Sequence, residues 1–356
     1  MSTPIEVALI GYGYAGQNIH APLLRAVPGL RLSVVASRQP DKVLADIPDA
    51  KVVEDPLAAL ARPDVELVVI ASPNDTHAPL AEAALRAGKH VVVDKPFTVT
   101  LDEARDLAAL AAKQQCVLSV FQNRRWDSDF LALRGLIAAG RLGEIVHLES
   151  RFDRFRPDVR ERWRERDVPG GGLWYDLGPH VVDQALQLFG LPERVGAQFG
   201  TMRDGARTPD WCQVQLDCGR PQVTLHASVL VGGGMPRFAV HGRRGSWVKY
   251  GLDAQESQLL TGLRPGDPGW GADPLPGTYY PGDGSRHDEP VPAGNYVAYY
   301  TGLEAAIRGR GKNPVTPAEA VAVMAVIETA IAAAEQGRML PLPLTDDERQ
   351  RWKAAS

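Results

Sequence analysis

The most constraining feature of this 356-residue chain lies at its start. Residues 7–10 form a short apolar run, and Gly11-Tyr12-Gly13-Tyr14-Ala15-Gly16 follows at once. G-x-G-x-x-G between a strand and a helix is the signature of a dinucleotide-binding turn. Gly11 permits the tight turn. A Cβ at position 13 would intrude on a pyrophosphate, and Gly16 lets the helix pack closely on the strand. The helix N-terminus offers its N–H groups and partial positive charge to phosphates. Tyr12, Tyr14 and Ala15 complete the candidate cofactor loop. The competing reading is a glycine-rich turn without a ligand, which the strand–helix context disfavours.

Further apolar runs at 32–36, 67–71, 90–93 and 117–121 alternate with Ala/Leu-rich helical spacing, as at 78–87 and 101–112. Runs apolar throughout suit parallel strands covered on both faces, and the alternation predicts a doubly wound α/β sheet over residues 1–123. The second strand ends in Ala36-Ser37-Arg38. An acidic residue there would hold a ribose 2′-hydroxyl and favour NAD. Arg38 instead can pair with a 2′-phosphate, and Ser37 can donate a hydrogen bond to it, which favours NADP. The plain alternative is a solvated surface arginine. Ser72-Pro73-Asn74-Asp75-Thr76-His77 follows the third strand, where open α/β sheets bind ligands. Ser72, Pro73, Asn74 and His77 are cofactor candidates, and the same segment can cap the next helix.

The texture changes after Asn123. Residues 124–166 are rich in arginine and aromatics, and Gly170-Gly171-Gly172 leads into a helix predicted over 173–189. Strand-like runs at 195–199, 213–216, 223–230, 237–240 and 247–250 follow without intervening helices, so an antiparallel sheet is expected. Residues 265–292 read as a long Gly/Pro-rich loop. Helices at 296–308 and 317–336 come next, with Thr316-Pro317 and Glu319 as a start signal. Residues 124–356 are therefore read as a second domain, whose last helices can pack back on the first.

Partners and compartment follow from composition. The formal net charge is -4, which offers no global attraction to nucleic acid or an acidic membrane. Cys116, Cys212 and Cys218 form no CxxC pair, which fits a reducing cytoplasmic compartment. The start of the chain lacks the basic and long apolar regions of a leader. The most apolar stretch, 318–334, is interrupted by Glu319 and Glu328 and reads as a buried helix.

Two elements carry chemistry-bearing residues. His90-Val91-Val92-Val93-Asp94-Lys95-Pro96 is a strand ending in a charged pair and a proline, which is also the composition of a surface turn. Asp176 and His180, in Asp176-Leu177-Gly178-Pro179-His180, share one helical face, with Asp183 and Gln184 a turn later. Either can equally be a cap or a satisfied core group. Taken together, these features resemble the glucose–fructose oxidoreductase/inositol dehydrogenase (Gfo/Idh/MocA) family over nearly the full length. The resemblance rests on 11–16, 72–77, Ala87-Gly88-Lys89-His90 leading to Asp94-Lys95-Pro96, 170–180 and the final helices. Asp94 stands where the family usually has Glu. Phe121-Gln122-Asn123-Arg124-Arg125-Trp126-Asp127 and 174–180 look most like the NADP-dependent scyllo-inositol dehydrogenase branch.

The resemblance implies a Rossmann domain followed by an α/β domain with an open, mostly antiparallel sheet. It implies hydride transfer between a secondary alcohol of an inositol or sugar and nicotinamide. By position it makes Lys95, Asp176 and His180 catalytic. Asp94, Lys95, Gln122, Trp163 and Arg164 then belong to the cofactor site, and Asn123, Arg124 and Trp126 line the substrate cleft. Packing between domains explains those last residues equally well. It further implies homodimers or homotetramers through the open sheet. Histidine has the pKa of a base working near neutrality, and a lysine ammonium favours a developing alkoxide. His77, His180, Asp176 and Asp183 lack a zinc spacing, so no metal is expected. The alternatives are a reductase of another keto-sugar or carbonyl substrate, a non-catalytic NADP-binding regulator, and a redox-neutral NAD glycosidase. Arg38 disfavours the last.

Overall fold

A computed structural model describes residues 3–162 and 165–355. The chain divides into two compact units. One runs to Trp126 and also takes in Gln255–Gly271 and Asn295–Val321. The other comprises Asp127–Ala254, Ala272–Gly294 and the chain from Ala322 onward. Two later segments thus belong with the N-terminal residues in the first unit.

The first unit is built from β1 (Ile5–Ile10), a π-helical turn (Gly16–His20) running into α1 (Ala21–Arg25), β2 (Leu30–Ala36), α2 (Pro40–Asp46), β3 (Lys51–Val53), α3 (Pro56–Leu60), β4 (Leu67–Ile70), α4 (His77–Arg86), β5 (His90–Val93), α5 (Leu101–Gln114) and β6 (Leu118–Val120). The strands pair in parallel in the order β3-β2-β1-β4-β5-β6. Every residue of β1 and β4 is buried, as continuous apolar runs require when helices cover both faces. The order reverses between β1 and β4, and dinucleotides bind at the carboxyl ends of strands beside such a reversal. Thr100 and Glu103 form a reciprocal capping box that starts α5. Short β3, with Lys51 exposed and two half-buried valines, carries too little pattern to be read from sequence.

The second unit contains α6 (Ser128–Ala138), β7 (Ile145–Asp153), α7 (Gly172–Phe189), β8 (Arg194–Gly200), β9 (Trp211–Asp217), β10 (Gln222–Ser228), β11 (Phe238–Gly242) and β12 (Gly245–Lys249). The chain then gives α8 (Gln255–Leu260) to the first unit, β13 (Gly277–Tyr280) and β14 (His287–Glu289) to the second, and α9 (Val297–Ile307) to the first. It ends in α10 (Pro317–Gln336), β15 (Leu340–Pro341) and α11 (Asp346–Ala355). The sheet order is β14-β13-β12-β11-β7-β10-β9-β8-β15. Every pairing is antiparallel except that of β7 with β10. The segment expected to be a long loop over 265–292 holds β13 and β14. They extend the sheet from β12, because backbone pairing compensates for the glycine content. Central β7 hides within the arginine-rich stretch. Its Ile145, Leu148, Ser150 and Phe152 are buried while Glu149, Arg151 and Asp153 alternate outward.

One stability prediction arises from this packing. His90 Nδ1 accepts the Val117 N–H at 2.9 Å, which requires an unprotonated nitrogen. Burial pushes the His90 imidazole below the usual histidine value, and burial does the same to His77. A depressed folded-state value contributes stability above about pH 6.5 that is lost as pH falls. Melting temperature is expected to drop between about pH 7.5 and 5.5, and less so in His90→Asn, whose amide oxygen accepts the same bond without titrating. Identical slopes for both proteins would remove His90 from the acid response.

Candidate functional site

The glycine turn is tight on its protein side and open on its outer side. Gly11 has φ +96°, and a Cβ there would stand 2.7 Å from the Ala71 carbonyl oxygen. A Cβ at Gly16 would collide with the Gly11 carbonyl, whereas one at Gly13 would meet nothing within 4 Å. That open space above a helix N-terminus fits a pyrophosphate. The tyrosine side chains turn elsewhere. Tyr12 is buried, donates to Asp46 Oδ2 at 3.0 Å, and has its pKa raised by burial and by Asp46. Tyr14 donates to Glu256 Oε1 at 2.7 Å, and Glu256 Oε2 pairs with Arg124 Nη2 at 3.0 Å. Both residues therefore have only backbone to offer phosphates in this arrangement.

At the end of β2, Ser37 N–H donates to Val53 O at 2.8 Å, and Ser37 Oγ accepts the Gln39 N–H at 3.1 Å. Arg38 is exposed and forms no ion pair among the described residues. Its guanidinium is accessible to an anion. At the end of β6, buried Gln122 Oε1 has no hydrogen-bond partner among the described residues. An unsatisfied buried acceptor at a strand's carboxyl end fits a ligand donor. Ser72 Oγ and Thr76 Oγ1 lie 2.6 Å apart, and Asn74 is buried in the short 3₁₀ turn before α4. His77, a cofactor candidate, is turned into the protein. It is buried, with Nδ1 2.8 Å from Pro96 O and Nε2 3.0 Å from Ser72 O. The imidazole ties the loop after β4 to the loop after β5, because the first turn of α4 points it inward.

Lys95 follows β5, and Asp94 Oδ1 accepts the Lys95 backbone N–H at 2.7 Å. Burial pushes the Asp94 carboxyl up, but His20, Lys95 and His77 together hold it below the usual carboxylate value. The substrate candidates Asn123, Arg124 and Trp126 lie in a 3₁₀ turn. Arg124 is committed to Glu256 with its side chain 7% exposed, and the Trp126 ring packs edge-on against Tyr299.

In the second unit, Asp176 and His180 stand one turn apart on α7. Gly178 between them is required by packing, since a Cβ would meet the Trp174 ring at 2.7 Å. His180 is buried and its ring stacks on Phe152 at 6.2 Å. Asp176 Oδ2 lies 3.5 Å from Arg154 Nη1, and that guanidinium sits 5.0 Å over the Phe152 ring. Below them Gln184 Oε1 accepts from Arg237 Nη2 at 2.5 Å, and Arg237 also reaches Ser150 Oγ at 2.7 Å. Trp163 and Arg164 lie outside the described residues.

Two family models match the chain. One, "Oxidoreductase family, NAD-binding Rossmann fold", covers residues 5–122, and the other, "Oxidoreductase family, C-terminal alpha/beta domain", covers 134–344. The chain belongs to the Gfo/Idh/MocA oxidoreductase family. It is 50% identical over 346 residues to the uncharacterized oxidoreductase YdgJ of Escherichia coli (strain K12), covering 96% of this chain and 100% of that protein. It is 37% identical over 344 residues to the scyllo-inositol 2-dehydrogenase (NADP(+)) IolW of Bacillus subtilis (strain 168), covering 95% and 96%. A solved Klebsiella pneumoniae structure, described as an oxidoreductase, superposes with a TM-score of 0.94 at 52% identity, covering 99% of both chains. The first unit therefore holds the Rossmann NAD(P)-binding fold of a Gfo/Idh/MocA protein.

Three features of this Gfo/Idh/MocA chain escaped sequence reading: Arg154 beside Asp176, Phe152 against His180, and Glu256 against Tyr14. The first two lay behind the missed strand β7. The third joins residues 242 positions apart, a separation that leaves no local signal.

Proposed function

We propose that the protein is an NADP-dependent dehydrogenase that transfers a hydride between a secondary alcohol of an inositol or sugar and nicotinamide. The observation that carries the reading is accessible Arg38 at the end of β2, where an acidic residue would select NAD. The named activity of the Bacillus subtilis relative supports it. Bound nicotinamide supplies the hydride acceptor. His180 takes the hydroxyl proton, Lys95 holds the developing alkoxide, and Asp176 orients the base or the substrate. Arg154 restrains the Asp176 carboxylate at 3.5 Å. A lysine desolvated beside a cationic ring is a competent base too, and the pH profile then belongs to the Lys95–His180 couple. Spectrophotometric screening of NADP reduction across inositol isomers and aldoses tests the proposal. NADPH binding without turnover on any polyol or sugar would favour a regulator.

We further propose assembly through the outer face of the second unit's sheet. Trp211, Gln213 and Arg151 are half-buried there, and His226 Nδ1 lies 2.8 Å from Asp153 Oδ1. A stable homo-oligomeric interface buries about 2,000 Å² or more. Light scattering is expected to report a dimer or tetramer at micromolar concentration, and a monomer there would count against this face.

A further inference from the structure

Behind Lys95, the first unit holds a buried polar chain that nothing in the motifs announces. His20 closes the π-helical turn after the glycine loop and is wholly buried. Its Nδ1 lies 2.6 Å from the Tyr300 hydroxyl, which α9 supplies. Its Nε2 makes no shorter polar contact among the described residues than its 3.5 Å approach to Asp94 Oδ2. The ring is held by Phe121 at a centroid distance of 4.3 Å, and Phe121 by Tyr299 and Tyr300 at 4.9 and 5.6 Å. If Tyr300 O–H donates to Nδ1, the remaining imidazole proton sits on Nε2 and points at Asp94.

We propose that Tyr300, His20 and Asp94 form a positioning chain that keeps the Asp94 carboxylate fixed and ionised as the counter-charge of Lys95. The carboxylate is used on both sides: Oδ1 holds the Lys95 backbone N–H at 2.7 Å, and Oδ2 faces His20. Among the described residues, five titratable groups act on it or face it. They are His20, His77 from α4, Lys95 from its own loop, and Tyr299 and Tyr300 from α9. Arg125 in turn faces Tyr299. Burial opposes the charge, so His20, Lys95 and His77 must outweigh it. The role rests on the assignment of Lys95 proposed above.

The test is a titration of Asp94 in the full-length protein by NMR with ¹³C-labelled aspartate, the resonance being assigned by its loss in Asp94→Asn. The double variant His20→Phe/Tyr300→Phe keeps ring volume and leaves no hydroxyl stranded. Its Asp94 carboxyl is expected to titrate at higher pH than in wild type. On the acid limb of the pH profile, turnover is then expected to fall about tenfold for each pH unit of that movement. NADPH affinity, read by fluorescence, stays near wild type. Tyr300→Phe alone, a milder change, moves Asp94 in the same direction by less. Unchanged Asp94 titration in both variants overturns the chain. Lys95→Ala is scored separately: normal turnover in that variant sinks the Lys95 assignment, whereas the Asp94 titration stands without any substrate.

Discussion

Replacing Lys95 with alanine is expected to lower turnover by about 10²–10⁴-fold while leaving NADPH affinity near wild type. The same split is expected for His180→Ala. Neither residue is assigned to the phosphates, so loss of either removes acid–base or alkoxide stabilisation and spares cofactor binding. His180 is buried against Phe152, so alanine there also opens a cavity. His180→Gln fills most of that space and separates the two effects: a base is still lost, but packing is largely kept. Steady-state kinetics on the best substrate, beside fluorescence titration with NADPH, reads both quantities. Near-normal turnover in both alanine variants would return Lys95 to a surface turn and His180 to a core residue.

The second large effect concerns the nucleotide. Arg38→Asp is expected to reduce kcat/KM with NADP by about ten- to a hundredfold, the usual weight of one charge-assisted contact to a phosphate. With NAD the value should hold or rise, because an acidic residue at this strand end accepts the ribose hydroxyl. Arg38 is exposed, so the substitution leaves the core untouched, and stability serves as an internal control. A wild-type protein that already prefers NAD would show that Arg38 is only a solvated side chain. Ser37 Oγ accepts the Gln39 N–H and keeps its own proton to donate.

The Rossmann half was legible because its signals are local. An apolar strand, three glycines at fixed spacing and a helix start lie within twenty residues, and each answers to steric rules that hold whatever the rest of the chain does. The four strand runs at 32–36, 67–71, 90–93 and 117–121 were legible for the same reason, since burial on both faces favours mostly apolar runs, interrupted here only by Ser33, His90 and Ser119. Lys95, Asp176 and His180 could be placed at the end of a strand and on one helical face, by position and period alone.

What sequence could not decide depended on contacts between distant residues. Central β7 alternates apolar with charged residues, and its charges mask the pattern until its partners β10 and β11 supply the ladder. No sequence rule pairs Arg124 with Glu256, 132 positions away. No local signal shows that the turn into α4 sets both His77 ring nitrogens beside carbonyl oxygens. His20 and Tyr300 stand 280 residues apart, and only the folding of α9 onto the first unit sets that hydroxyl against that imidazole. The physical reason is common to all four. Local sterics and hydrophobic period act over a few residues, whereas the partner of a buried polar group is set by whichever distant element tertiary packing brings to it.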